Sequence, residues 1–268
     1  MRWLRFEHNG KTVYGVASGD TIEVTDATWC DILAGKTGTV TDSVDRGSVD
    51  LLCPMDRPGK IVAIGLNYLD HCRETNTPPP DRPVIFTKFT TSIVGPGDEI
   101  VWSPQLTAEV DYEAELAAVI GKTARHVSRE DALDYVAGYT CSNDVSARDL
   151  QLGDPQWIRG KSLDTFCPIG PAFITADEVP DPQDLSIRCL LNGEVMQESN
   201  TREMIFGVAE LIEFSSNAFT LEPGDVILTG TPHGVGMGRD PQVWMKDGDT
   251  VVIEIEKLGR LENTCRMV

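Results

Sequence analysis

The stretch "EVDYEAELAAVIG", Glu109 to Gly121, constrains the fold more than any other part of the chain. Its second half, Leu116-Ala117-Ala118-Val119-Ile120, is apolar at every position. Successive side chains of a strand point to opposite faces, so a run without alternation belongs to a strand buried on both sides. Its first half carries acids at every second position, Glu109, Asp111, Glu113 and Glu115, which puts all of them on one face of the same strand. Neighbouring acids are then about 7 Å apart, two rises of roughly 3.3 Å. Glu113 and Glu115 stand where the strand enters the interior, and buried like charges are costly unless something pairs with them. Arg or Lys, a shared proton or a metal ion meets that need. Glu109 and Asp111 are expected at the more exposed end.

The chain around this strand is rich in further strands. "RWLRFEH" and "TVYGVA" flank Asn9-Gly10, a hairpin signal, and Ser18-Gly19-Asp20 turns into "TIEVT". Residues 1–54 thus read as a small N-terminal β domain, with a loose polar stretch at "GKTGTVTDSVDRGS" and a linker at "CPMDRPGK". Residues 58–268 read as the main domain, with strands at "KIVAIG", "VAGYT", "DVILTG", "TVVIEIEK" and "RLENTCRM". The Ser128/Asp131 pair predicts a helix running to Gly138. A second is predicted to start near Thr201, with Met204, Val208, Leu211 and Ile212 on one face. Strands and helices do not alternate regularly, so the expected class is β-rich α+β, a barrel or sandwich decorated by helices, and not a doubly wound sheet.

Charge narrows the partners. The 268 residues hold 23 Lys and Arg against 42 Asp and Glu, a net charge of −19. Nucleic acid and anionic membrane are poor partners for such a surface. A small anionic substrate is not excluded, because a bound cation inverts the local field. "MRWLRFEHNG" has no apolar core of signal-peptide length, and the seven cysteines show no CxxC spacing, so reduced thiols and a cytoplasmic location are expected.

Four constellations carry chemistry. Glu113 and Glu115 with Asp144, from the polar turn "YTCSNDVSARD", make a set of hard oxygen donors suited to Mg²⁺, Mn²⁺ or Ca²⁺. Ion pairs with Arg148, Arg159 or Lys161 are the plain alternative. "GLNYLDHCRE" puts His71 and Glu74 at i, i+3 of a short helix, where a carboxylate orients an imidazole and raises its basicity. "LTGTPHGVG" offers backbone N–H groups, including that of Gly230, able to hold a carboxylate. Lys161, with Arg148 and Gln151 upstream, can neutralise a substrate anion or the acids themselves.

Together and in this order, "GLNYLDHCRE", "DYEAELAAVIG", "NDVSARDLQ", "RGKSLDTFCPIGP", "LLNGEVMQESNTREMIFGVAELI" and "GDVILTGTPHGVG" resemble the fumarylacetoacetate hydrolase family, from about Lys60 to the C-terminus. The resemblance implies a mixed β-sandwich roll or barrel, commonly a homodimer, and a metal-dependent enzyme of α-keto acids. It implies Mg²⁺ or Mn²⁺ on Glu113, Glu115 and Asp144, a base pair His71 and Glu74, Lys161 in catalysis, and Arg148, Gln151, Thr231 and Gly230 near substrate. The reaction it suggests first is hydrolysis of the C–C bond of an acylpyruvate-like β-diketo acid, through a metal-bound pyruvate enolate. Oxaloacetate decarboxylation or isomerisation of 2-hydroxyhepta-2,4-diene-1,7-dioate is the alternative, and a non-catalytic metal-binding scaffold a remote one. Phe89, after Lys88, departs from the proline or small residue common in the family and is expected to reshape a pocket wall.

Overall fold

The computed structural model describes residues 1–268. Two sheets make the body, and neither closes into a barrel. The longer has eleven strands and the other five. Asn9 and Gly10 both adopt positive φ, 51° and 71°, and join the strands Arg2–His8 and Lys11–Ser18 as the sequence predicts. These and the strands Thr21–Thr25 and Val40–Asp45 extend one end of the long sheet, and Trp3 pairs with Phe173 of the strand Cys167–Thr175. Val40–Asp45 falls in the stretch expected to be loose. No helix is long and apolar enough to cross a membrane.

The Ala114–Ile120 strand lies inside the long sheet, between Val136–Asn143 and Val226–Leu228. Leu116, Ala118 and Ile120 pack into the larger apolar cluster, and Ala117 and Val119 into the smaller one on the other face. Each large side chain so buried stabilises the fold by about 1.5–3 kcal/mol. The strand is therefore a rigid base for whatever precedes it.

Two helix expectations fail. Ser128 and Asp131 do exchange the hydrogen bonds of a cap. Yet only the 3₁₀ turn Ala132–Tyr135 follows, and the chain enters the strand Val136–Asn143. Gly138, read as a helix stop, is a close-approach residue inside that strand: a Cβ there would lie 2.1 Å from the Ile174 carbonyl. The second helix spans Val208–Ala218 and not residues from Thr201. A single 3₁₀ turn does form at Thr201–Glu203, but Asn67 ties down the residues after it by hydrogen bonds with Ile205 N–H and with both backbone groups of Phe206. Met204 is buried but outside the helix.

Candidate functional site

Register builds the floor of the site. Ala114 pairs with Asn143 and Glu115 with Ser142, and the Asp144 N–H donates to the Glu113 carbonyl at 2.9 Å. Glu113 and Asp144 therefore face each other across the ladder, with Glu115 one repeat further along the same face. Ligand oxygens of Glu113, Glu115 and Asp144 lie within 4.8 Å of one another, and all these residues are buried.

Cations meet most of this charge. Lys161 Nζ bridges Glu113 Oε2 at 2.7 Å and Asp144 Oδ2 at 2.9 Å. Arg148 Nη2 lies 2.7 Å from Glu113 Oε1 and 2.8 Å from Asp111 Oδ2. Lys88 Nζ donates to Asp144 Oδ1 and, at 3.1 Å, to the Val145 carbonyl. Arg148 and Lys161 are thus the ion-pair partners foreseen; Arg159 instead holds Asp154 at the surface. Burial alone would raise the Glu113 carboxyl, but Lys161 and Arg148 outweigh it and bring its pKa to about 2. Glu115 is different. It accepts one hydrogen bond, from Gly230 N–H at 2.8 Å, and has no cationic partner. Burial, then the charges of Asp144 and Glu113, push its carboxyl well above the usual range. With Asp111 included, four buried carboxylates face three cations. Either a proton or a bound cation on Glu115 completes the balance, and the three-oxygen-donor cluster fits a hard divalent ion.

Asp111 corrects an expectation. It is 0% exposed and not at an open end of the strand. Its oxygens accept from Arg148 Nε at 2.8 Å and from the N–H groups of Gly236 and Met237 at 2.7 and 3.1 Å. Glu109 is only half-buried. Neither joins the three-acid cluster.

The roof is the helix Leu69–Glu74. His71 Nδ1 lies 2.9 Å from Glu74 Oε2, and Glu74 Oε1 accepts from Gly234 N–H at 2.8 Å. A carboxylate on Nδ1 assigns the proton to that nitrogen and leaves Nε2 as the acceptor. Burial opposes ionisation of Glu74, but the bonds from His71 and Gly234 N–H prevail and lower its pKa.

Floor and roof enclose a cavity of about 250 Å³ lined by His71, Glu113, Glu115, Arg148, Gln151, Lys161 and Thr231. Glu74, Gly230 and Asp144 stand directly behind its wall. Gln151 Oε1 accepts from Arg148 at 2.9 Å, and Thr231 Oγ1 accepts from Gln197 at 2.8 Å. Phe86, edge-on to Trp157 and 5.2 Å from Lys161 Nζ, forms the apolar side. Phe89 does not: it is 54% exposed and outside the lining. The glycine-rich loop also departs from expectation. Its N–H groups do hold carboxylates, but the protein's own. Gly230 can do so because φ is 95° and a Cβ would lie 2.7 Å from Asn67 Cβ. A larger cavity of about 610 Å³ beside the N-terminal helix Trp29–Leu33 contains no comparable acids or base.

Lys88 and Gln197 are the participants that sequence reasoning missed, and Asp111 is one it placed too near the surface. Lys88 had one signal, a lone charge ending the strand Val84–Lys88.

Comparison with known proteins agrees with this architecture. Residues 60–266 match the family described as "Fumarylacetoacetate (FAA) hydrolase C-terminal", and residues 1–54 match "Rv2993c-like, N-terminal". A mitochondrial oxaloacetate tautomerase of Bos taurus is 54% identical over 220 residues, 81% of this chain and 70% of that protein. The fumarylacetoacetate hydrolase of Exiguobacterium antarcticum superposes with TM-score 0.91 at 40% identity, over 100% of both chains. The 2-hydroxyhepta-2,4-diene-1,7-dioate isomerase of Mycobacterium marinum does so with TM-score 0.86 at 38% identity, over 100% of this chain and 98% of that one. The chain belongs to the fumarylacetoacetate hydrolase family and is an enzyme.

Proposed function

We propose that this enzyme moves a proton next to the keto group of a small 2-oxo dicarboxylate, interconverting the keto and enol forms of oxaloacetate. The observation that carries it is that His71 and the acids Glu113 and Glu115 line one small cavity. A base and a charge-stabilising centre facing one space are what enolisation needs.

Glu113, Glu115 and Asp144 would hold Mg²⁺ or Mn²⁺. Bound there, the cation supplies Lewis-acid polarisation of the keto oxygen. The chain's residues do the rest. His71 Nε2 takes the proton from the carbon beside the keto group, and the C–H electron pair becomes the new C=C bond. The keto oxygen gains the charge and is protonated from solvent, while the His71 imidazolium returns its proton to solvent. Glu74 keeps the imidazole in the tautomer that can accept. Lys161, whose pKa rises because Asp144 and Glu113 outweigh its desolvation, remains a fixed positive charge beside that oxygen. Arg148, Gln151 and Thr231 orient the carboxylates.

Hydrolysis of an acylpyruvate uses the same base on water and is the second reading. It yields first place because the tautomerase relative shares 54% identity, against 40% for the fumarylacetoacetate hydrolase. The test follows three products with Mg²⁺ and with Mn²⁺: decay of enol-oxaloacetate, pyruvate from oxaloacetate, and pyruvate plus acetate from acetylpyruvate. Enol decay well above the spontaneous rate supports the proposal. Acetylpyruvate cleavage with no acceleration of enol decay overturns it.

A further inference from the structure

The loop from Gly230 to Met237 donates its backbone to an unusual set of acceptors. Gly230 N–H serves Glu115, His233 N–H Asp70, Gly234 N–H Glu74, and Gly236 and Met237 N–H both serve Asp111. Glu115 and Asp111 belong to the floor. Asp70 and Glu74 belong to the roof helix. Glu74 has a further task in holding His71, but Asp70 lines no part of the cavity.

Asp70 instead reaches outward. One carboxylate oxygen accepts from Ser199 Oγ on the strand Glu194–Asn200, and the other from His233 N–H at 3.3 Å. The His233 ring is 4.0 Å away, and the Asp70 side chain is only 12% exposed. The helix needs such a tie. It has six residues, no side-chain N-cap, and residues with positive φ on both flanks, Leu66 at 48° and Asn76 at 50°. A helix this short is not stable by itself, and its turn of backbone must be held from outside.

We propose that Asp70 is a positioning residue: it latches the roof helix to Ser199 and to the glycine-rich loop, and so fixes where His71 Nε2 stands over the cavity. The proposal rests on the reading of His71 as the base, and a misplaced base loses rate steeply with distance.

The test uses the intact enzyme with Mn²⁺. Asp70→Ala is expected to lower kcat for enol-oxaloacetate by about 10–100-fold, with KM moving much less. Asp70→Asn retains an oxygen able to accept from Ser199 and is expected to recover most of that loss. Ser199→Ala, at a half-buried position, should shift kcat in the same direction by less, and serves if Asp70→Ala does not fold. Hydrogen exchange of residues 70–77 should speed up in Asp70→Ala while Mn²⁺ affinity stays unchanged. Combining Asp70→Ala with His71→Ala should cost little beyond His71→Ala alone, because one change acts through the other. Fully multiplying losses in the double variant, or unchanged exchange in the helix, overturn the latch. If His71→Ala alone costs nothing, the base assignment falls, and the exchange measurement still decides whether Asp70 holds the helix.

Discussion

The floor and the roof of the cavity are built in opposite ways. The floor acids extend from strands packed on both faces, and their cations Lys88 and Lys161 are 1% and 2% exposed. The roof is one and a half turns of helix held by side-chain and loop contacts, with Leu69 37% exposed. The difference teaches a division of labour. Charge is expensive to bury and needs donors that do not move, so it sits on the sheet. The imidazole proposed as the base sits instead on an element whose stability comes from a few breakable contacts. The two halves meet across the cavity and through the loop between Gly230 and Met237.

Breaking the floor should have the largest effect. Glu115→Ala removes the one carboxylate of the cluster that has no cationic partner, so the sheet keeps its ion pairs while a cation loses a ligand. Mn²⁺ binding, followed by calorimetry or electron paramagnetic resonance, should disappear, and turnover should fall by more than about 10³-fold, the worth of several kcal/mol of charge stabilisation. Wild-type activity in a thoroughly chelated sample would contradict this assignment of the floor. Breaking the roof should spare the metal. His71→Ala is expected to lower kcat by about 10²–10⁴-fold, with Mn²⁺ affinity within error of wild type. A parallel loss of Mn²⁺ affinity would mean that roof and floor are not separate. Glu74→Gln sharpens the contrast at smaller cost. It keeps the size of the side chain but removes the charge facing Nδ1, so kcat should fall about tenfold with Mn²⁺ affinity unchanged.

The same contrast explains what the sequence reveals. The floor is legible because strand geometry is local: alternation puts Glu113 and Glu115 on one face, and the apolar run after Glu115 marks the entry to the core. The roof pair is legible for the same reason, since i, i+3 spacing on a short helix brings His71 to Glu74. What fails depends on distant chain. Lys88 meets Asp144 across 56 residues, and Asp111 is covered by loop residues more than 120 positions away. Gly138 reads as a helix stop until the strand crossing it is known. The helix start at Val208 and not Thr201 is set by Asn67, again remote in sequence.

The smallest expected effect separates the floor's own charges, through pH. Glu115 has its folded pKa raised above its ordinary value of 4.5, by burial and then by Asp144 and Glu113. Above pH 4.5 the folded, metal-free protein therefore keeps a proton that the unfolded chain has released, so stability falls as pH rises, by at most about 1.4 kcal/mol per pH unit for one group. Asp111, also raised, adds to the same slope from its ordinary value of 3.8 upward. Glu113 acts in another window: its folded pKa of about 2 lies below 4.5, so its contribution is complete above 4.5 and is lost as pH falls toward 2. Melting temperatures of chelated protein should thus decline as pH rises above 4.5, and Glu115→Gln should flatten the decline. Saturating Mn²⁺ should flatten it as well, because a cation on Glu115 replaces the proton, and Mn²⁺ affinity should rise with pH for the same reason. An equal slope in wild type and in Glu115→Gln would assign the missing positive charge of the floor to a group other than Glu115.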